Sequence, residues 1–141
     1  MKKMLAALMV MAVAIFVPVC TMADDIDIIY APTASGFFSS YSASLSKTGT
    51  TIHISFRTVG VETMDQIGVL TYDVQRLVGG TWTTVASGLA GSIGTDRSSH
   101  SFSKNYSAAA GYSYRVKAKH YALKYNGTSA TATATSGSIS V

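Results

Sequence analysis

The sequence predicts an all-β chain, a single antiparallel β-sandwich of about seven strands. Three observations predict it. Apolar and polar residues alternate with period two through 50–58, 70–78 and 112–121, as they do when a strand buries one face. Turn residues separate the runs, above all Gly79-Gly80 and Asn126-Gly127. Beyond the first 23 residues no stretch sustains a helical period.

The first 23 residues read as a segment apart from the fold. Lys2 and Lys3 precede an apolar run ending at Val17, Pro18 breaks it, and Thr21-Met22-Ala23 sets small residues at a cleavage site. This is the layout of a secretory signal, with an apolar run shorter than the roughly 20 residues of a membrane span. The expected organisation is a signal peptide at 1–23, an N-terminal arm at 24–36 and one domain at 37–141. Cys20 is the only cysteine. Cleavage after Ala23 removes it; lipidation at Cys20 is the alternative, but Val19 stands where a small residue is preferred. Without a thiol the domain has no disulfide, and burial alone must stabilise it.

The elements follow in order. The arm holds Asp24, Asp25 and Asp27, which disfavour a packed helix. Residues 41–46 alternate weakly. Across 50–58, Ile52, Ile54 and Phe56 face inward while Thr51, His53, Ser55 and Arg57 face outward. Residues 60–68 are expected to be a connection with room for one helical turn. Leu70, Tyr72 and Val74 then alternate with Thr71, Asp73 and Gln75, and the two glycines at 79 and 80 turn the chain into TWTTV at 81–85. Residues 86–98, rich in Gly and Ser, read as a loop. Strands are expected at 100–106, 112–121 and 128–135. The last of these places threonines on one face and alanines on the other, which suits a sheet edge.

The run YDVQRLVGGTW at 72–82, followed by YSYRVKAKHY at 112–121, resembles the middle and penultimate strands of fibronectin type III-like domains. In that family a Y-x-V-x-R strand and its hairpin precede a Y-x-Y-x-V strand. The likeness covers roughly residues 40–135 and extends to small secreted proteins of Gram-positive bacteria. It implies an Ig-like sandwich in an extracellular setting, with Tyr112 near the tyrosine-corner position. The chain departs from the family in carrying Trp82 after the hairpin, where an early strand usually buries a tryptophan. It also lacks an Arg-Gly-Asp loop. The likeness implies no reaction, because the scaffold serves many functions.

Charge is unevenly distributed. Between Asp24 and Asp96 seven acids face three bases, a balance of −4; from Arg97 onward there are six bases and no acid, or +6. Such asymmetry suits an anionic partner or two mutually attractive halves. The outward positions of 112–121 collect Arg115, Lys117 and Lys119 in one row; the fibronectin-like resemblance implies that strand 70–78 lies beside it, with Asp73 outward and in reach of Arg115 or Lys117. Trp82, Tyr121 and Tyr125 are candidate stacking surfaces for sugar rings, although a tryptophan beside a hairpin also packs over a core edge. His53, His100 and His120 lie on different strands without metal-ligand spacing, His53 outward and His120 on the inward row. Glu62 and Asp65 form a carboxylate pair with no nucleophile or base beside it, and no G-x-S-x-G turn or phosphate-cradling glycine loop occurs.

The expectation is therefore a secreted, non-catalytic recognition module. Its expected partner is an anionic cell-wall polymer, a glycan or a protein at or beyond the cell surface. Arg115, Lys117 and Lys119 would supply charge, and Trp82 or Tyr121 apolar contact. No cofactor, metal or nucleic-acid partner is expected. The alternatives are a bacteriocin-like toxin and a structural protein of a surface layer or matrix.

Overall fold

The computed structural model describes residues 36–141; the segment 1–23 expected to be a signal peptide, and all but the last residue of the expected arm, lie outside the described residues. Six strands form: β1 (Phe38–Thr48), β2 (Thr51–Val78), β3 (Thr81–Ser107), β4 (Ser113–Leu123), β5 (Ser129–Thr135) and β6 (Ile139–Ser140). Every pairing is antiparallel, and no helix forms among the described residues. The all-β class stands.

Two elements differ from expectation. The connection at 60–68 and the loop at 86–98 are strand, so β2 runs for 28 residues and β3 for 27. The physical reason is that bends and bulges interrupt the alternation without ending the backbone ladder. The β2–β3 pairing shifts register between Val59 and Met64 and again around Val74, and Asp96 takes a positive φ of 52° at the bend. Glycines at 88, 91 and 94 mimic a loop composition, yet the ladder continues through them, with Thr71 opposite Ala90 and Ile67 opposite Gly94.

The bend gives β2 two sets of neighbours. Residues 51–59 lie between β1 and the end of β3, and residues 66–76 lie between the start of β3 and β4. β5 adds to the far side of β4 as an edge strand, as its composition predicts, and β6 pairs with the opposite end of β4. The curled sheet folds its two halves onto one core. Ala43, Ile52, Ile54 and Phe56 from one half meet Val69, Tyr72, Val74, Tyr114, Val116 and Ala118 from the other. The Phe56 and Tyr72 rings touch across the gap with centroids 4.9 Å apart. A second cluster, Phe38, Tyr41, Met64, Ile67, Ala122 and Ala134, fills the end nearest the bend. Full burial of an Ile, Val or Phe contributes roughly 1.5–3 kcal/mol, so these clusters are the main source of stability in the described chain.

Tyr114, and not Tyr112, makes the tyrosine bond back to the preceding turn. Its buried hydroxyl donates to the Ala109 carbonyl at 3.1 Å and accepts the Ala109 N–H at 2.9 Å. Tyr112 is partly exposed at the end of the inner row, beneath the Arg76 guanidinium at 4.3 Å. Tyr114→Phe leaves both Ala109 groups unpaired beside an apolar ring. It is expected to cost about 1–3 kcal/mol in urea unfolding and to speed exchange of the Ala109 amide.

Candidate functional site

The site begins with the parity of β4. Tyr114, Val116, Ala118, His120 and Ala122 are buried, so Arg115, Lys117, Lys119 and Tyr121 stand on the opposite, outer face. On the β2 side these four are opposite Gln75, Asp73, Thr71 and Gly68; on the β5 side Lys117, Lys119 and Tyr121 are opposite Thr135, Thr133 and Thr131. The row is thus bordered by threonine hydroxyls along its β5 side and by Thr71 on its β2 side, where Asp73 and Gln75 also stand, and successive cations are spaced about 6.6 Å along the strand.

Trp82 joins this face from the far side of β2. The Gly79-Gly80 hairpin sets it opposite Leu77, and the Arg115 guanidinium reaches across to lie 4.5 Å from the indole centroid. Arg115 Nε also donates to Gln75 Oε1 at 2.8 Å. Trp82 therefore packs under a cation, not over the core edge, and one face of its ring is covered. Stacking of this kind is worth about 0.5–1 kcal/mol at an exposed site and holds the arginine in place.

Asp73 pairs with neither Arg115 nor Lys117. Its Oδ1 accepts the Gly88 N–H at 2.8 Å, where β3 bulges between Leu89 and Ala86. The carboxylate is spent on an otherwise unpaired amide. The one ion pair among the described residues joins Lys124 to Glu62 at 2.8 Å, at the other end of the molecule. Lys117 and Lys119 are left exposed without a carboxylate partner, beside a shallow pocket of about 230 Å³ lined by Thr71, Tyr72, Asp73, Lys117, Lys119 and Thr133.

Leu70 was expected inside and is outside, 38% exposed. A register shift between Val69 and Thr71 makes it the extra residue of a bulge, so that Val69 turns inward and Leu70 lies out beside Thr71. It adds an apolar side chain at the end of the row where Tyr121 stands. The signal was present in the sequence: Val69-Leu70 sets two apolar residues side by side where strict alternation allows one. Tyr125, the third aromatic candidate, lies elsewhere and donates its hydroxyl to Asp96 at 2.7 Å.

The remaining candidates are engaged in structural contacts. Glu62 forms its ion pair with Lys124. His53 lies between Asn105 at 2.8 Å and Thr48 at 3.1 Å. His100 meets the Ser92 hydroxyl at 2.9 Å, and burial, with Arg97 nearby, lowers its pKa. His120 is buried, as its inward position implies. No group of three metal-ligating side chains occurs among the described residues. Neither a protein-family model, nor a curated protein, nor a solved structure matches the chain.

Proposed function

We propose that the protein is a secreted, non-catalytic recognition module with a fibronectin type III-like sandwich, and that the outer face of β4 binds an anionic cell-wall polymer. The carrying observation is the pair Lys117 and Lys119. Both are exposed, neither makes an ion pair among the described residues, and the Thr71 and Thr133 hydroxyls line the same pocket, as does Asp73, whose Oδ1 is turned to the Gly88 amide. A phosphate-bearing or carboxylate-bearing chain laid along β4 meets a cation at every second residue and finds hydroxyl donors on either side. Arg115 is already stacked on Trp82, which extends the charged row with an apolar surface, and Leu70 and Tyr121 offer a second apolar contact at the other end.

Co-sedimentation with purified Gram-positive cell wall tests this reading. A cation near an anionic surface contributes about 1 kcal/mol, so Lys117→Ser with Lys119→Ser is expected to weaken binding roughly thirtyfold at low salt. Wild-type binding should fall steeply as salt rises. Binding of the double variant at wild-type strength would sink the proposal.

A structural role in a surface layer is supported by a different observation. β3 pairs with β2 alone along its 27 residues, which leaves its other edge open to another strand. Sedimentation velocity at increasing protein concentration separates the two readings, because only strand addition produces growing assemblies without wall polymer.

A further inference from the structure

The half of the sheet remote from β4 carries a second polar surface. On the outer side of β1, residues 51–59 of β2 and the end of β3, Arg57 lies between Ser42 and Ser101, and Ser55 lies between Ser44 and Ser103. Together they line a groove of about 430 Å³, a size suited to one or two sugar rings. The guanidinium of Arg57 makes no hydrogen bond, ion pair or ring contact among the described residues. The hydroxyls are nearly as unspent: their one mutual bond, Ser55 to Ser103, is long at 3.4 Å. The rings beneath do not offer a stacking platform, because Phe56 is buried and its ring stacks on that of Phe102 at 4.7 Å.

We propose that this groove binds an acidic sugar, a uronate residue of a polysaccharide, with its carboxylate on Arg57 and its ring hydroxyls on the serines. Three features point to that ligand class. A guanidinium presents a planar fork that matches a carboxylate in two parallel hydrogen bonds, so a single arginine suffices to orient one acidic group. Each serine hydroxyl both donates and accepts, as sugar hydroxyls do, and is short enough to let a ring approach the sheet. Arg57 is also the one charged side chain lining the groove, which favours a ligand carrying its charge at one point over a densely charged polyanion. The site is independent of the β4 row. The core separates the two faces, so a protein using both would bridge two polymer chains and gain avidity from doing so.

The test is titration of the full chain with trigalacturonate, followed by amide ¹H–¹⁵N spectra, with neutral galactotriose as control. Saturable shifts are expected at Ser42, Ser55, Arg57 and Ser101. Arg57→Ser should weaken binding at least about tenfold, the loss of a charge-assisted hydrogen-bonded pair. Arg57→Lys, which keeps the charge but not the fork, should recover only part of it. Lys117→Ser with Lys119→Ser should leave the saturable shifts at Ser42, Ser55, Arg57 and Ser101 in place, whether or not trigalacturonate also meets the β4 row. The proposal is overturned by the absence of saturable shifts or by shifts confined to residues 115–121. Undiminished binding in Arg57→Ser, or equal binding of the neutral trisaccharide, overturns it too. Arg57 is exposed, so its variants are expected to fold, and an unchanged spectrum away from the groove checks that they do.

Discussion

Acidification from about pH 7 to about pH 4 is expected to remove about 3 kcal/mol of folding stability through His120 alone. The ring is wholly buried, and its Nδ1 lies 2.7 Å from Thr58 Oγ1. The Thr58 hydroxyl donates to the Gly68 carbonyl at 3.1 Å, so its oxygen accepts from a protonated Nδ1. The second ring nitrogen, Nε2, is then the bare lone pair, and it has no hydrogen-bond partner. Tyr41 packs against the ring at 5.2 Å, and the remaining surroundings are largely apolar. Charging this imidazole places a cation in the core with nothing facing Nε2, and burial accordingly pushes its pKa from 6.5 down to about 4.

The sign follows from the two states. Unfolded, the histidine takes its proton near pH 6.5; folded, it resists until about 4. Between those values the unfolded chain binds more protons. The stability is therefore fully present above the upper value, is lost as pH falls through the window, and falls no further below it. Against a total of 5–15 kcal/mol for a typical domain, such a loss is large. Urea unfolding at several pH values should show this slope in the wild type. His120→Leu, which keeps the volume filled and the Thr58–Gly68 bond intact, should flatten it. His100 titrates in the same direction in both proteins, so the difference between them isolates His120. Equal slopes would mean that the buried ring is not the titrating group.

The same histidine shows how far the sequence could be read. Its place on an inward row was legible from alternation alone, and so was the outer row of Arg115, Lys117 and Lys119, because a period of two leaves only two faces. The edge position of β5 was legible from its threonine and alanine composition, whereas the pairing of β4 with β2 was expected from the likeness to fibronectin type III-like domains and not from alternation. What escaped was set by backbone features that have no period. The bend that joins 51–59 to 66–76 in one strand looks like a connection, because its polar residues Glu62, Thr63 and Asp65 break the alternation while the ladder resumes beyond them. Leu70 escaped through a bulge, and Asp73 through an amide of a second bulge fifteen residues away. Arg115 escaped through a ring on a strand two removed from its own. Charges read as free or paired from sequence depend on such contacts: Asp73 is directed to the Gly88 amide, and Lys117 and Lys119 make no ion pair with it, although it lines the same pocket.

Gly91→Ala is expected to be among the most damaging single-methyl changes in the described residues, costing about 3 kcal/mol or more. The residue lies on β3 between Ala90 and Ser92, which face Thr71 and Val69 of β2. A Cβ built there falls 2.1 Å from the Val69 carbonyl oxygen and 2.7 Å from its carbon, backbone atoms that cannot swing aside. The approach is matched from the other strand: a Cβ on Gly68 falls 2.2 Å from the Ser92 carbonyl oxygen, at a φ of +155°. Two glycines thus allow β2 and β3 to close tightly beside the Leu70 bulge, where Val69 turns into the core. Gly79→Ala is the proper comparison. Gly79 has a positive φ of 57° but nothing within 4 Å of the added carbon, so only the conformational cost of about 1–2 kcal/mol remains. At roughly 4–8 °C per kcal/mol for a domain of this size, thermal melts should separate the two variants clearly, with Gly91→Ala reduced by at least about 12 °C or failing to fold. Similar melts would show that the strands part at little cost at this crossing. Because the bulge that exposes Leu70 beside Lys119 depends on that crossing, a wide gap between the melts also ties the shape of the β4 face to the fit between two bare backbones.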